Sequence, residues 1–155
     1  MTEASERKSI LITGCSSGIG YDAANVLAKR GWRVFAACRK DQDCLRLRKE
    51  GLDTVRLDYE DEASIETAVQ QVAESTRGRL DAVFNNGAYG IPGLVEDISR
   101  DALRAIFEAN VFGWHDLSRR VIPLMRTNGN GRNVQCSSVL GLVGIGWRGA
   151  ALVHE

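Results

Sequence analysis

The chain has 155 residues, of which 44% are hydrophobic and 26% charged, and its formal net charge is zero. This length predicts a single globular domain over residues 1–155, and the composition argues against a disordered or membrane-spanning chain. The lack of net positive charge argues against nucleic acid or an anionic membrane as the main partner. The first eight residues lack the apolar core of a signal peptide, so we expect a cytoplasmic protein.

The cysteines do not form a metal-binding pattern. There is no Cys-x-x-Cys pair, and no cysteine has a close partnership with either histidine, so we expect no metal site and interpret the thiols as buried or incidental. The four are Cys15, Cys38, Cys44 and Cys136.

Apolar runs and helical periods alternate along the first part of the chain. The pattern predicts a strand over residues 9–13, a helix over 17–30, a strand over 33–37, a helix over 41–50 and a strand over 54–57. The third of these strands alternates polar and apolar residues, so we expect it at an edge of a sheet.

The alternation continues in the second part. A helix is predicted from an N-cap at Asp61, followed by a fully apolar strand over residues 82–84 that we expect near the centre of the sheet. Ser99 can cap a long helix, which Pro123 is expected to bend or end. A fifth strand is predicted over residues 133–136. An apolar stripe recurs along the long helix and is expected to be mostly core: Leu103, Ile106, Phe107, Asn110, Val111, Trp114, Leu117 and Val121.

Strands that are separated by helices of this length are best joined by right-handed crossovers. The predicted fold class is therefore α/β, a doubly wound parallel sheet of about five strands with helices on both faces. Loops at the carboxyl ends of such strands are where open α/β sheets bind ligands.

A glycine-rich turn lies at the end of the first predicted strand. The segment Thr13-Gly14-Cys15-Ser16-Ser17-Gly18-Ile19-Gly20 leads from an apolar run into a helix. Its glycines allow close approach to a phosphate, and the N–H groups at the start of the helix attract negative charge. The alternative interpretation is a glycine turn that binds no ligand, because such turns are common between strands and helices.

Further motifs follow the glycine turn along the chain. Asp58 follows the third strand, Asn85-Asn86-Gly87-Ala88 ends the fourth, and Asn110 lies within the long helix. With the glycine turn, these residues resemble the short-chain dehydrogenase/reductase family over residues 9–150. The family's Asn-Asn-Ala-Gly signature is present with its last two residues exchanged.

The resemblance implies a Rossmann-type sheet of order 3-2-1-4-5 and hydride transfer between a nicotinamide dinucleotide and an alcohol or carbonyl substrate. It also implies which residues contact the cofactor, with Asp58 near the adenine amine. These are Gly14, Ser16, Ser17, Gly18, Ile19, Gly20, Asp58, Asn85, Asn86 and Gly87.

The end of the second strand bears on the choice of cofactor. Family members that prefer NAD place an acid there, whereas this chain has Cys38 followed by Arg39 and Lys40. Positive side chains at this point would pair with the 2′-phosphate of NADP(H), which we therefore expect over NAD(H). The alternative is that Arg39 and Lys40 only begin a solvated, charged helix.

The resemblance also assigns catalytic roles. Ser138 matches the serine that orients the substrate, with Ser137 the weaker candidate, and Asn110 matches the asparagine that holds a linking water. The family's tyrosine and lysine should follow Ser138 by about a dozen residues, but Ala151 and Glu155 occupy those places. An alanine has no proton to give, so we expect the proton relay to be missing. We interpret His154 as a solvated end residue and not as a substitute.

We therefore expect a C-terminally truncated Rossmann domain that lacks the family's later strands and is inactive as an isolated chain. Truncation would leave the fifth strand, with Val134, at an edge that invites self-association. The apolar stripe of the Asn110 helix is a second expected surface for self-association. Two alternatives remain open at this point: a catalytically silent module that binds nucleotide or a partner, and a nonfunctional fragment. The sequence does not identify the substrate.

Overall fold

The fold is described from a computed structural model that covers residues 7–143 and residue 146. Strands and helices alternate along this part of the chain. The strands are β1 (Ser9–Ile12), β2 (Arg33–Cys38), β3 (Asp53–Arg56), β4 (Ala82–Asn85) and β5 (Arg132–Gln135). The helices are α1 (Gly18–Lys29), α2 (Asp41–Lys49), α3 (Glu62–Thr76), α4 (Arg100–Phe107) and α5 (Gly113–Thr127), with a π-helical segment, Glu108–Phe112, joining the last two.

The strands form one parallel sheet in the order β3-β2-β1-β4-β5. The predicted class and strand order are confirmed. β3 lies at one edge, as its alternating pattern predicted, and the apolar β4 lies inside the sheet between β1 and β5. We call the edge where the strands end the carboxyl edge and the edge where they begin the amino edge.

Two apolar layers cover the faces of the sheet. Leu11 of β1 packs into a cluster with Val72 of α3 and Leu117 of α5, whereas its neighbours in β1 pack into a second cluster on the other face. This division follows from the alternation of side chains along a strand. The second cluster includes Ala24 of α1 and Leu47 of α2, so each face carries a pair of helices.

The predicted helix starts at Asp61 and Ser99 are confirmed. The Asp61 carboxylate accepts hydrogen bonds from Ala63 N (3.1 Å) and Ser64 N (3.2 Å). Ser99 Oγ accepts one from Ala102 N at 3.2 Å. Both residues thus satisfy N–H groups that a helix start leaves without a partner.

The long helix differs from its prediction in two respects. Pro123 lies inside α5, which continues to Thr127, because buried Val121 and Met125 hold the surrounding turns in the core. The π-helical segment also changes the phase of the helix, so a stripe drawn at constant spacing is only partly buried. Four of its members are half-buried: Leu103, Phe107, Val111 and Trp114.

Among the described residues, no helix is both long enough and apolar enough to cross a membrane.

Candidate cofactor and substrate site

A cavity of about 210 Å³ lies at the carboxyl edge, where the loops after β1, β3 and β4 meet. Its lining includes Gly14 and Ser16 of the glycine turn, Arg39 after β2, Asp58 after β3 and Gly87 after β4. We call it the glycine-turn cavity. Parallel strands bring these residues together although they are far apart in sequence.

The glycine turn leaves the first turn of α1 open. Gly14 and Gly18 have φ angles of +68° and +60°, which side-chain-bearing residues rarely adopt. Ser17 is the N-cap residue, but its side chain makes no capping hydrogen bond. Ser16, Ser17, Gly18 and Ile19 are all exposed. The N–H groups and positive dipole end of α1 are therefore available to an anion.

Gly14 and Gly20 also allow the backbones of this region to pack closely. A Cβ added at Gly14 would lie 2.6 Å from Gly87 Cα, and one added at Gly20 would lie 2.5 Å from Gly14 O. Real Cβ atoms do not approach other atoms so closely, so the loops after β1 and β4 fit only because these residues lack side chains.

Thr13 joins these two loops, although it was not among the predicted cofactor contacts. Its hydroxyl oxygen accepts hydrogen bonds from Asn86 N (2.9 Å) and Gly87 N (3.0 Å), and its carbonyl accepts one from Asn86 Nδ2 at 3.1 Å. The signal in the sequence was an alcohol at the end of an apolar strand. Thr13 is 1% exposed, so its role is to hold the loops together.

A half-buried tyrosine, Tyr59, extends this network, and sequence reasoning missed it. The Tyr59 hydroxyl donates to Asn85 Oδ1 at 2.7 Å and lies 2.8 Å from Thr13 Oγ1. Asn85 Nδ2 in turn donates to Ser118 Oγ at 3.1 Å. Burial raises the pKa of the Tyr59 phenol, so this hydroxyl stays protonated and acts as a structural donor. The side chain of Asn85 is fully buried and committed to these bonds, so it supports the site from beneath.

The residues after β2 and β3 give the lining of the cavity one cation, Arg39, and two carboxylates, Asp58 and Glu60. Arg39 and Lys40 are exposed, and Arg39 lines the cavity, whereas Cys38 is buried in the apolar layer. Asp58 is half-buried and its Oδ1 accepts a hydrogen bond from Glu60 N at 3.2 Å. A guanidinium at the rim suits a phosphate, and a carboxylate oxygen can accept a hydrogen bond from an amine.

A second cavity, of about 480 Å³, runs between α5 and β5, and we call it the α5–β5 groove. Its lining includes Asn110, His115, Gln135 and Ser137. Ala88 lines both this groove and the glycine-turn cavity, so the two spaces adjoin at the loop after β4.

The side chain of Asn110 fixes that loop from the π-helical segment. Its Nδ2 donates to Tyr89 O at 2.8 Å, and its Oδ1 accepts from Tyr89 N at 3.2 Å. The indole Nε1 of Trp114 donates to Gly87 O at 2.8 Å. These bonds explain why a polar residue is buried in an otherwise apolar helix face.

Comparison with known proteins identifies the family. A family model described as short chain dehydrogenase matches residues 8–150. The chain belongs to the short-chain dehydrogenase/reductase family.

Among curated members of that family, the uncharacterized oxidoreductase YbbO of Escherichia coli is 42% identical over 144 residues, which are 93% of this chain and 54% of the relative. Human 17-beta-hydroxysteroid dehydrogenase type 1 is 33% identical over 151 residues, covering 90% of this chain and 45% of the relative. The chain thus spans about half the length of these relatives.

A solved structure shares the fold of this family member. Actinorhodin polyketide ketoreductase, a variant crystallised with NADPH, superposes with a TM-score of 0.85 at 26% identity, covering 96% of this chain and 59% of that chain.

The residues predicted to be catalytic lie in different places in the structure. Asn110 and Ser137 line the groove, whereas Ser138 caps a short 3₁₀ helix, Val139–Gly141, by accepting from Leu140 N at 3.2 Å. Ala151 and Glu155 lie outside the described residues.

Cys15, Cys38, Cys44 and Cys136 are free thiols, the first three of them buried. Within residues 7–143 and residue 146, no three potential metal ligands come together.

Proposed function

We propose that the chain binds NADP(H) in the glycine-turn cavity and forms the nucleotide-binding half of an alcohol dehydrogenase or carbonyl reductase. The observation that carries this proposal is the open N-terminus of α1 beside Gly14 and Gly18, with the Arg39 guanidinium at the rim of the same cavity. A dinucleotide presents a pyrophosphate and an adenosine end, and the cavity offers partners for both.

In this proposal, each predicted residue has a physical role. Ser16, Ser17, Gly18, Ile19 and Gly20 present the backbone of the α1 start to the pyrophosphate. Asp58 accepts a hydrogen bond from the adenine amine. Gly14 and Gly87 keep the floor free of side chains, and Asn85 and Asn86 hold that floor in place from below.

The preference for NADP(H) rests on Arg39 and Lys40. Arg39 lines the cavity and the exposed Lys40 follows it in the chain. No carboxylate occupies the end of β2, because that position is the buried Cys38. A charge-assisted hydrogen bond to phosphate contributes about 1.5–3 kcal/mol, which corresponds to about 10- to 150-fold in affinity.

Calorimetric titration with NADPH and NADH tests the preference. We expect wild type to bind NADPH at least about tenfold more tightly, and Arg39→Glu to remove most of that difference. Lys49→Glu makes the same charge change at the far end of α2 and should leave both affinities unchanged. Tighter binding of NADH than of NADPH by wild type would contradict the preference.

We further propose that the 155-residue chain turns over slowly by itself. A nicotinamide held in the cavity would supply the hydride chemistry, whereas Ser138 would orient the alcohol or carbonyl and Asn110 would hold a linking water. The tyrosine position carries Ala151, which has no proton to give, and the lysine position carries Glu155, whose negative charge would raise a neighbouring phenol's pKa instead of lowering it. Loss of one positioned acid or base costs about 10²- to 10⁴-fold in rate.

A steady-state assay of NADPH oxidation with a panel of ketones, run beside the titration, separates the alternatives. Binding without turnover supports this proposal and leaves a silent nucleotide-binding module as a role. Failure to bind either nucleotide would favour a nonfunctional fragment. Rapid ketone reduction by sequence-verified protein would refute the proposed loss of the relay.

The substrate proposed here is an apolar alcohol or ketone. Leu94 and Val95 in the segment after β4, and Val139 and Leu142 after β5, are large apolar side chains exposed at the carboxyl edge. The printed name of one relative, a hydroxysteroid dehydrogenase, is consistent with such a substrate. Within the ketone panel, binding measured by fluorescence quenching or by calorimetry should be tighter for steroid-sized ketones than for acetone.

Self-association is part of the proposal. We propose that the helix carrying Asn110 is a contact between copies, which light scattering coupled to size-exclusion chromatography would detect as a dimer.

A cytoplasmic location is also part of the proposal. Three buried thiols and one partly exposed thiol, all reduced, suit the reducing conditions of the cytoplasm.

A further inference from the structure

Glu60 lines the glycine-turn cavity, and the roles proposed above do not use its side chain. Among the described residues that line this cavity, Arg39 is the one cation, and Asp58 and Glu60 are the carboxylates. One guanidinium against two carboxylates gives the lining a formal charge of −1. The surplus carboxylate bears directly on how strongly the cavity can hold the 2′-phosphate of a cofactor.

The turn after β3 fixes the backbone of Glu60. Its N–H donates to Asp58 Oδ1 at 3.2 Å, and Asp61 N donates to Asp58 O at 3.2 Å. Asp58 N in turn donates to Ser64 Oγ at 3.0 Å. The side chain of Glu60 therefore starts from a fixed point at the carboxyl edge, and it is exposed there.

The hydroxyl of Tyr89 reports the position of the Glu60 carboxylate relative to Arg39. Tyr89 lines the same cavity, and its backbone makes two hydrogen bonds with the side chain of Asn110. Burial, and after it the Glu60 carboxylate, raise the pKa of the Tyr89 phenol, whereas the Arg39 guanidinium opposes this rise. The two opposite charges thus both act on one hydroxyl group at the wall of the cavity.

Glu60 and Arg39 do not neutralise each other at contact. Among the described residues, neither side chain forms an ion pair. Each charge therefore acts on a bound group through the space of the cavity. A phosphate beside Arg39 would be repelled by Glu60, whereas an uncharged ribose hydroxyl in the same place would not.

We propose that Glu60 is a specificity-determining residue that limits the preference for NADP(H) by opposing the 2′-phosphate, an inference that rests on the proposed function. Arg39 attracts the 2′-phosphate and Glu60 repels it, so the preference is the difference between two opposing effects. A phosphate carries a charge of about −1.5 to −2 at neutral pH, so NADPH responds to both side chains more strongly than NADH does.

Calorimetric titration of Glu60→Gln with NADPH and with NADH tests this role. The substitution removes the charge but keeps the size of the side chain and the backbone N–H that bonds Asp58. We expect NADPH to bind about three- to tenfold more tightly than it binds wild type and NADH to bind equally, because only NADPH carries a charge at this point. Glu60→Lys should raise the ratio of the NADPH affinity to the NADH affinity further. Added salt should reduce both effects, because these charges are partly exposed.

Glu74→Gln is the matched control. Glu74 lies in the last turn of α3, at the amino edge, so this substitution makes the same charge change far from the cavity. It should leave the ratio of the two affinities as in wild type. Circular dichroism of the variants checks that each one is folded.

The ratio of the two affinities separates this inference from the proposed function. If wild type binds NADH more tightly, the proposed cofactor preference fails, yet a higher ratio in Glu60→Gln still supports the role of Glu60. If the dinucleotides bind and Glu60→Gln changes the ratio no more than Glu74→Gln does, the inference is overturned and the proposed function stands. Absence of binding of either dinucleotide to all of these proteins would overturn both.

Discussion

The close approach of the loops after β1 and β4 can be tested by adding a single methyl group. In Gly14→Ala the new Cβ would lie 2.6 Å from Gly87 Cα and 2.9 Å from Gly87 N, both backbone atoms that cannot swing away. The residue must also keep φ at +68°, which costs alanine about 1–2 kcal/mol. Overpacking adds about 1–3 kcal/mol, so we expect a loss of about 2–5 kcal/mol in the free energy of unfolding.

Gly18→Ala is the matched comparison, because Gly18 has φ +60° but no neighbouring heavy atom within 4 Å of a Cβ. It should lose only the backbone contribution of about 1–2 kcal/mol, as should Gly129→Ala, a distant glycine with φ +74° and the same open surroundings. Urea unfolding followed by circular dichroism measures all three. NADPH titration should show at least about tenfold weaker binding for Gly18→Ala and no change for Gly129→Ala.

Two outcomes would refute this reasoning. If Gly14→Ala is no less stable than Gly18→Ala, the loops do not pack as closely as the geometry requires. If Gly18→Ala binds NADPH as tightly as wild type, the start of α1 is not where the pyrophosphate lies.

Three further predictions concern the core and the open edge. Tyr59→Phe removes the buried donor to Asn85 Oδ1 and should lower the free energy of unfolding by about 1–3 kcal/mol in urea; an unchanged midpoint would show that the bond contributes nothing. Burial, as the largest cause, and the neighbouring Cys44 raise the pKa of Cys38 to about 12. The folded chain therefore keeps the proton of this thiol at an alkaline pH at which the unfolded chain releases it. The free energy of unfolding should therefore decrease with pH above about pH 8.5, and Cys38→Ala should reduce the slope of that decrease by up to about 1.4 kcal/mol per pH unit. Cys136→Ala is the control, and an equal slope in the two variants would contradict the prediction. Val134, which is 47% exposed on the edge strand β5, should promote association, so Val134→Lys should reduce light scattering at high protein concentration, and unchanged scattering would place the contact elsewhere.

The local patterns of the sequence were sufficient to predict the strands and helices of the fold. Apart from the long helix, which continues past Pro123, their boundaries fell within a residue or two of the structure, because apolar runs, N-caps such as Asp61 and Ser99, and closing glycines each act over a few residues. The order of the strands came from the resemblance to the family.

The supports of the site could not be predicted in the same way. The bonds of Tyr59 join residues 46 and 26 positions away, so no local pattern reports them. The π-helical segment arises where Asn110 must reach the backbone of Tyr89, and it breaks the constant spacing that a helical stripe assumes.

The network beneath the carboxyl edge gives the glycine-turn cavity and the α5–β5 groove a common support. Thr13 holds the loop after β4, Tyr59 connects Thr13 to Asn85, and Asn85 reaches Ser118, whose hydroxyl also accepts from Gln135 Nε2 at 3.3 Å. A rearrangement of the glycine turn would therefore be transmitted to the wall of the α5–β5 groove, since buried polar groups lose free energy when they lose their partners. It follows that the shapes of the α5–β5 groove and of the glycine-turn cavity depend on each other, because both depend on the same buried hydrogen bonds.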